Sequence, residues 1–143
     1  MRRLWCLFAL LGLAAVPATL MAAEEKEKAV KKADTRVFEL RTYHAAPGKM
    51  DALNARFRDH TNALFKKHGM EIIGFWQPTD PQKADQLVYI LAFPSKEAAD
   101  KSWQAFRDDP EWKKAREASE KGGKLVDRVE SVYMNPTDYS PIK

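Results

Sequence analysis

One cysteine, three histidines and six glycines in 143 residues leave little room for several kinds of chemistry. The cysteine, Cys6, lies in an N-terminal stretch that reads as an export signal. Without that stretch the chain has no disulfide, no thiolate nucleophile and no Cys-ligated metal. His44, His60 and His68 do not make an HExxH or any other ligand spacing, and no acidic cluster suggests calcium, so no protein-bound metal is expected. The glycines form neither a phosphate loop nor a nucleotide fingerprint, and no Ser–His–Asp order is present. No cofactor is expected. Charge of one sign is also lacking. The 24 basic and 20 acidic residues leave +4, which falls to +2 without Arg2 and Arg3. Nucleic-acid binding would require a basic patch, and this balance supplies no footprint for one.

What is present is ordinary globular composition, 45% hydrophobic and 31% charged, in a chain long enough for one domain and a short appendage. Arg2-Arg3 followed by the uncharged run 4–23, ending in Ala22-Ala23, has the n-region, h-region and small-residue end of a secretory signal peptide. Residues 1–23 are therefore expected to be a cleaved signal, placing the domain in the periplasm or outside the cell. The run also approaches the ~20 residues that span a bilayer, so an uncleaved membrane anchor is the alternative. Residues 24–35 (EEKEKAVKKADT) are almost all charged or small and read as a disordered linker. The folded domain is expected at 36–143.

Within it, 36–43 (RVFELRTY) alternates as a strand, with Glu39, Arg41 and Tyr43 sharing one face beside Val37. After Pro47-Gly48, residues 49–68 place Met50, Leu53, Phe57, His60, Leu64 and His68 at helical spacing, with Gly69 as the C-cap. Segments 71–77 (EIIGFWQ) and 86–93 (QLVYILAF) are strands without a polar face. Ser95 caps a second helix whose buried stripe includes Trp103, Asp108-Asp109-Pro110 interrupts it, and a further helix follows at 111–121. Residues 124–134 alternate as a last strand. The order is that of the α+β, ferredoxin-like split βαβ fold: an antiparallel sheet with helices on one face. The other face is expected to carry Ile72 or Ile73, Trp76, Tyr89 and Leu91, too apolar for water. A homodimer packing sheet against sheet, a dimeric α+β barrel, would cover it.

Several pieces together resemble the NIPSNAP family: Glu39-Leu40-Arg41-Thr42-Tyr43 followed by Pro47-Gly48, then Lys67-His68-Gly69, Asp109-Pro110-Glu111-Trp112, and Tyr139-Ser140-Pro141. The resemblance covers residues 37–141 and implies membership of the dimeric α+β-barrel superfamily. It implies a fold more firmly than a reaction. The chain differs from animal members in having one domain and an export signal, so their mitochondrial and vesicle-associated roles are not carried over.

Two function classes follow. The first is a protein that binds a small apolar or aromatic ligand in the barrel cavity. By analogy with the superfamily it would be a cofactor-independent oxygenase or isomerase. Arg41 would orient an oxyanion through its two-point fork, Tyr43 or His60 would handle a proton, and Glu39, Trp76, Tyr89 and Trp103 would contact the ligand. Related barrel families hold haem with a helical histidine, and residues 95–121 contain none. The alternative for Glu39 and Arg41 is purely structural pairing, with each other or with Asp127 and Arg128 across the sheet. Core packing is the alternative for the aromatics and for His60, and helix capping for His68; His44 reads as a loop residue. The second function class is a non-catalytic dimeric module of the cell envelope that binds a protein or a lipid.

Overall fold

Nine residues of alternating pattern form β1 (Val37–Ala45), the strand on which the domain is built. The computed structural model describes residues 36–143, together with Met21 and Lys26. The expected signal 1–23 and linker 24–35 otherwise lie outside the described residues. Among the described residues, no helix is long and apolar enough to cross a membrane.

After β1 comes the helix α1, which has three parts: an α-helical Met50–Arg56, a π-helical turn Phe57–Thr61 and an α-helical Asn62–Lys67. It ends where expected. Gly69 takes φ +71, its N–H reaching the Lys66 carbonyl at 3.1 Å while Met70 N–H reaches Phe65 at 2.9 Å. A side chain at that φ would be strained, which is why glycine closes the helix. β2 (Glu71–Trp76) and β3 (Gln86–Phe93) follow, joined through a short 3₁₀ turn at Pro81–Lys83. α2 (Lys96–Asp108) starts at Ser95, whose hydroxyl accepts the Ala98 N–H at 3.1 Å. α3 (Pro110–Ser119) starts at Asp109, whose carboxylate accepts the Glu111 N–H at 2.7 Å, with Pro110 in the first turn. β4 (Val126–Met134) completes the sheet.

The four strands are antiparallel in the order β2-β3-β1-β4, the split βαβ arrangement that the sequence pattern predicts. β1 is central, with Arg41 opposite Tyr89 of β3 on one side and Ser131 of β4 on the other. The helices cover one face. There Leu53, Phe57, Leu64 and Phe65 of α1 and Ala99, Trp103 and Phe106 of α2 pack on Leu87, Tyr89, Leu91 and Phe93 of β3. Tyr89 and Leu91 therefore face the helices, and the expectation that they lie on the open face is corrected. In β3 both faces are apolar, so alternation has no polar residue to fix which side is which, and a one-residue choice exchanges the faces.

The open face is still apolar. The paired positions of the other parity include Phe38, Leu40 and Thr42 of β1, Val88, Ile90 and Ala92 of β3, and Val132 and Met134 of β4, with Trp76 opposite Val88; the polar ones, Gln86, His44, Arg128 and Glu130, gather towards the far end of β1. A Cβ placed on Gly74 would meet the Trp76 indole at 2.7 Å, so the ring packs over Gly74 and would have to shift for any larger residue there. The chain's end, through Pro136 and Ile142, curls over one corner of this face, leaving a recess of about 290 Å³ above Phe38, Ile73, Ile90 and Met134.

Candidate functional site

Glu39, Arg41 and Tyr43 share one face of β1, as the alternation predicts, but that face lies beneath α2 and not on the open side of the sheet, so the expectation that they line a barrel cavity between two sheets is corrected. Glu39 is 1% exposed. A carboxylate so deep must be fully paired or it would be driven to neutralise. Here it accepts three hydrogen bonds: Arg41 Nη1 at 2.7 Å, Trp103 Nε1 at 2.5 Å and Ser131 Oγ at 2.6 Å. Asp127 and Arg128 take no part in this network. Arg128 instead pairs with Glu130 at 2.9 Å, and Lys124 with Asp127 at 3.2 Å. Tyr133, opposite Glu39 on β4, has its phenol pushed up to about 12 by burial and by the neighbouring carboxylate.

Arg41 is held on two sides. Glu39 fixes one terminal nitrogen, and the guanidinium lies over the Trp103 ring at 4.3 Å and near Tyr43 at 5.6 Å. Burial alone would lower its pKa, but Tyr89, Tyr43 and Glu39 around it outweigh burial and raise it, so the group is a permanent cation. Tyr89 is fully buried, and burial pushes its phenol well above the ordinary tyrosine range, with Tyr43 adding to the shift. Tyr43 and Tyr89 meet edge to face at 5.3 Å, and Phe57, Phe65 and Phe75 surround Tyr89.

Arg41 and Tyr43 open into a cleft of about 320 Å³ between the β1–β4 side of the sheet and the helices α2 and α3. Its apolar wall is Trp103, Phe106 and Trp112, the last two stacked at 4.5 Å. Six cationic side chains line it, Arg41, Arg56, Arg107, Arg116, Lys124 and Arg128, against two acidic ones, Glu120 and Asp127. Glu120 is held by Arg56 at 2.9 Å and by Arg116 at 3.2 Å; burial raises its pKa, yet these two arginines bring it below the usual range. Arg107 bonds only the neutral Gln104 among the described residues. Such a cleft attracts an anion and offers flat carbon surface to whatever carries it.

Of the seven side chains singled out by sequence, five assemble here: Glu39, Arg41, Tyr43, Tyr89 and Trp103. Two do not, and the shared cavity expected for all seven is revised accordingly. Trp76 lies on the opposite face of the sheet, 49% exposed. His60 is exposed on the outer side of α1, beside Ala115 and Ala118 of α3. The π turn is the reason. It adds one residue to the turn, so Thr61 takes the buried place that regular helical spacing gives to His60. The other histidines also have partners. His68 bonds Asp109 at 2.7 Å, tying the end of α1 to the start of α3. His44, expected in a loop, is the penultimate residue of β1 and bonds Glu130 at 3.0 Å.

Sequence reading missed the ring of cations at the mouth. Arg56, Arg107, Arg116 and Lys124 lie on four separate segments, the helices α1, α2 and α3 and the loop before β4, among many other charged residues, and only the packing of the helices on the sheet brings them together. Arg56 alone carried a signal, as a charge inside the apolar stripe between Leu53 and Phe57. Among the described residues, no group of three or more His, Cys, Asp or Glu is placed to hold a metal ion.

The same fold occurs in proteins of distant sequence. A NIPSNAP family protein of Agrobacterium tumefaciens, with unknown function, is 23% identical, covers 77% of this chain and 96% of its own, and superposes with a TM-score of 0.67. A second from that organism is 21% identical over 76% of this chain and 99% of its own, with a TM-score of 0.66. A NIPSNAP-like domain protein of Burkholderia xenovorans is 19% identical over 76% and 90%, with a TM-score of 0.66. Among curated proteins none matches the chain. The NIPSNAP family profile matches residues 38–141, from the first strand through the curled end, and the chain belongs to the NIPSNAP family.

Proposed function

We propose that the domain binds a small ligand with an apolar or aromatic body and an anionic group, in the cleft between its own sheet and helices. The observation that carries this reading is the composition of the cleft: an aromatic wall beside six cations, which outnumber the two acids of the lining and the two more, Glu39 and Glu130, that pair Arg41 and Arg128. The anionic group enters the reading because neutral apolar binding alone gives no role to that excess of positive charge. Arg41 is the anchoring residue, held in place by Glu39 and Trp103. The reading assigns binding and no bond-making step. Tyr43 is the phenol that any proton transfer in the cleft would meet.

A second copy of the chain is proposed to cover the open sheet face, which the apolar positions on all four strands support. Export to the periplasm or beyond is proposed on residues 1–23 alone.

The test is calorimetric titration of the purified domain with 2-naphthoate over a series of salt concentrations. The expected result is saturable binding that weakens as salt rises and that Arg41→Ala reduces at least tenfold. Unchanged binding in Arg41→Ala would place the site elsewhere.

A further inference from the structure

Two polar groups, one on a residue lining the cleft and one just behind that lining, are buried and unused. The Tyr89 hydroxyl has no hydrogen-bond partner among the described residues, although the Tyr43 phenol is close enough to raise its pKa. Arg41 Nε is likewise buried without a partner among the described residues. An unmade hydrogen bond in a core is costly, and phenylalanine would fill the Tyr89 volume without that cost. The two residues face each other in the β1–β3 register and project to the same side of the sheet, with Tyr43 two positions further along. Arg41 and Tyr43 line the cleft, and Tyr89 stands immediately behind them.

We propose that this inner end is an oxyanion site, in which Arg41 Nε and the Tyr89 hydroxyl together donate to one oxygen of a ligand carboxylate. The proposal rests on the cleft reading above and names the group that the cleft receives and the residue that selects it. Arg41 can only donate. Tyr89 stays a neutral hydroxyl at physiological pH, because burial disfavours the phenolate. Its hydroxyl then has a proton to give. Two donors suit an anionic oxygen; a carboxamide oxygen can accept from them too but carries no charge, so the carboxylate is favoured over the carboxamide of the same shape by charge assistance. Glu39 has a positioning role: by accepting from Nη1 it fixes the guanidinium and leaves Nε free to donate.

The experiment titrates the full chain, as wild type and as Tyr89→Phe, with 2-naphthoate and with 2-naphthamide, and measures the thermal midpoint of each protein. The expected result is that wild type prefers the carboxylate by about tenfold or more, in line with a charge-assisted bond. Tyr89→Phe should lose about five- to tenfold on the carboxylate, lose clearly less on the amide, and melt no lower than wild type, because it sheds a polar atom that the core does not satisfy. Equal carboxylate affinity in the two proteins overturns the oxyanion site and leaves the cleft reading standing. So does a lower midpoint in Tyr89→Phe with both probes weakened alike, since the hydroxyl would then serve the fold. If neither probe binds wild type, the cleft reading fails and this inference fails with it.

Discussion

At the scale of single residues, Glu39 and Asp109 carry the strongest constraints. Glu39 is a buried carboxylate whose three donors come from β1, α2 and β4. Truncation to alanine leaves the Arg41 cation and the Trp103 N–H without their acceptor, and the cost of breaking a buried pair from one side is about 3 kcal/mol. Urea unfolding of Glu39→Ala should show a loss of that order, and Glu39→Gln a smaller one, because an amide oxygen still accepts from Trp103 or Ser131. Equal stability of Glu39→Ala and wild type would mean that the network contributes nothing to folding. Asp109 behaves differently because its role depends on pH. Lys67 at 3.0 Å and His68 at 2.7 Å hydrogen-bond it, the Glu111 N–H adds a third bond, and together they overcome burial and hold it far below the usual carboxylate range. A folded pKa below the unfolded one means that the stabilisation is complete above about pH 4 and drains away as pH falls further. Unfolding midpoints measured from pH 7 to pH 3 should therefore fall on the acid side. In Asp109→Asn the midpoint should start lower at pH 7 and decline less over the same interval. Much of this was legible in advance: alternation in β1 puts Glu39, Arg41 and Tyr43 on one face, and Asp-Pro marks the start of a helix. Ser131, which completes the Glu39 network, carried no signal, because a serine in an alternating strand reads as solvent-facing.

At the scale of elements, two of the departures from expectation have one kind of cause, an ambiguity of phase. β3 is apolar on both sides, so its phase relative to the helices was undetermined, and Tyr89 and Leu91 fell on the unexpected face. α1 has a clear stripe, but the π turn at Phe57–Thr61 shifts its phase midway, exposing His60 and burying Thr61. A lone extra residue in a helix leaves the flanking stripes intact, which is why composition and periodicity do not reveal it. The structure does show what steadies the turn: Thr61 Oγ1 donates to the Arg56 carbonyl at 3.2 Å inside the core. Thr61→Val keeps the shape and removes that bond, so it should lower stability by about 1 kcal/mol. The effect should concentrate in α1, where hydrogen exchange of the 57–61 amides would quicken. If exchange there stays unchanged, packing of Phe57 and Leu64 alone holds the turn. The capped start of α2 and the glycine end of α1 were readable because each depends on a local residue type rather than on phase.

At the scale of the whole molecule, the two faces of the sheet have opposite characters, and this argues for a division of labour. The helix side has used its apolar surface to build a core and to wall a charged cleft. The open side has not: Trp76 is 49% and Val132 53% exposed, with Leu40, Val88 and Ile90 between them on the central strands. The curled end shields one corner only, above Phe38 and Met134. A sheet face with so broad an apolar patch, polar only towards His44, Arg128 and Glu130, is stable in water when something packs on it, and a two-fold copy of itself is self-complementary in shape and chemistry. Because Val132 is already exposed in one protomer, Val132→Glu should leave protomer stability close to unchanged. In a sheet-on-sheet dimer the same glutamate would be buried without a partner, which association tolerates poorly. Sedimentation velocity should thus find wild type dimeric and Val132→Glu shifted to monomer at the same concentration, with matching far-ultraviolet circular dichroism. A dimer that persists in Val132→Glu would place the contact on another surface. Since the cleft opens on the helix side, the monomeric variant should still bind 2-naphthoate with wild-type affinity, which separates assembly from ligand recognition in one protein.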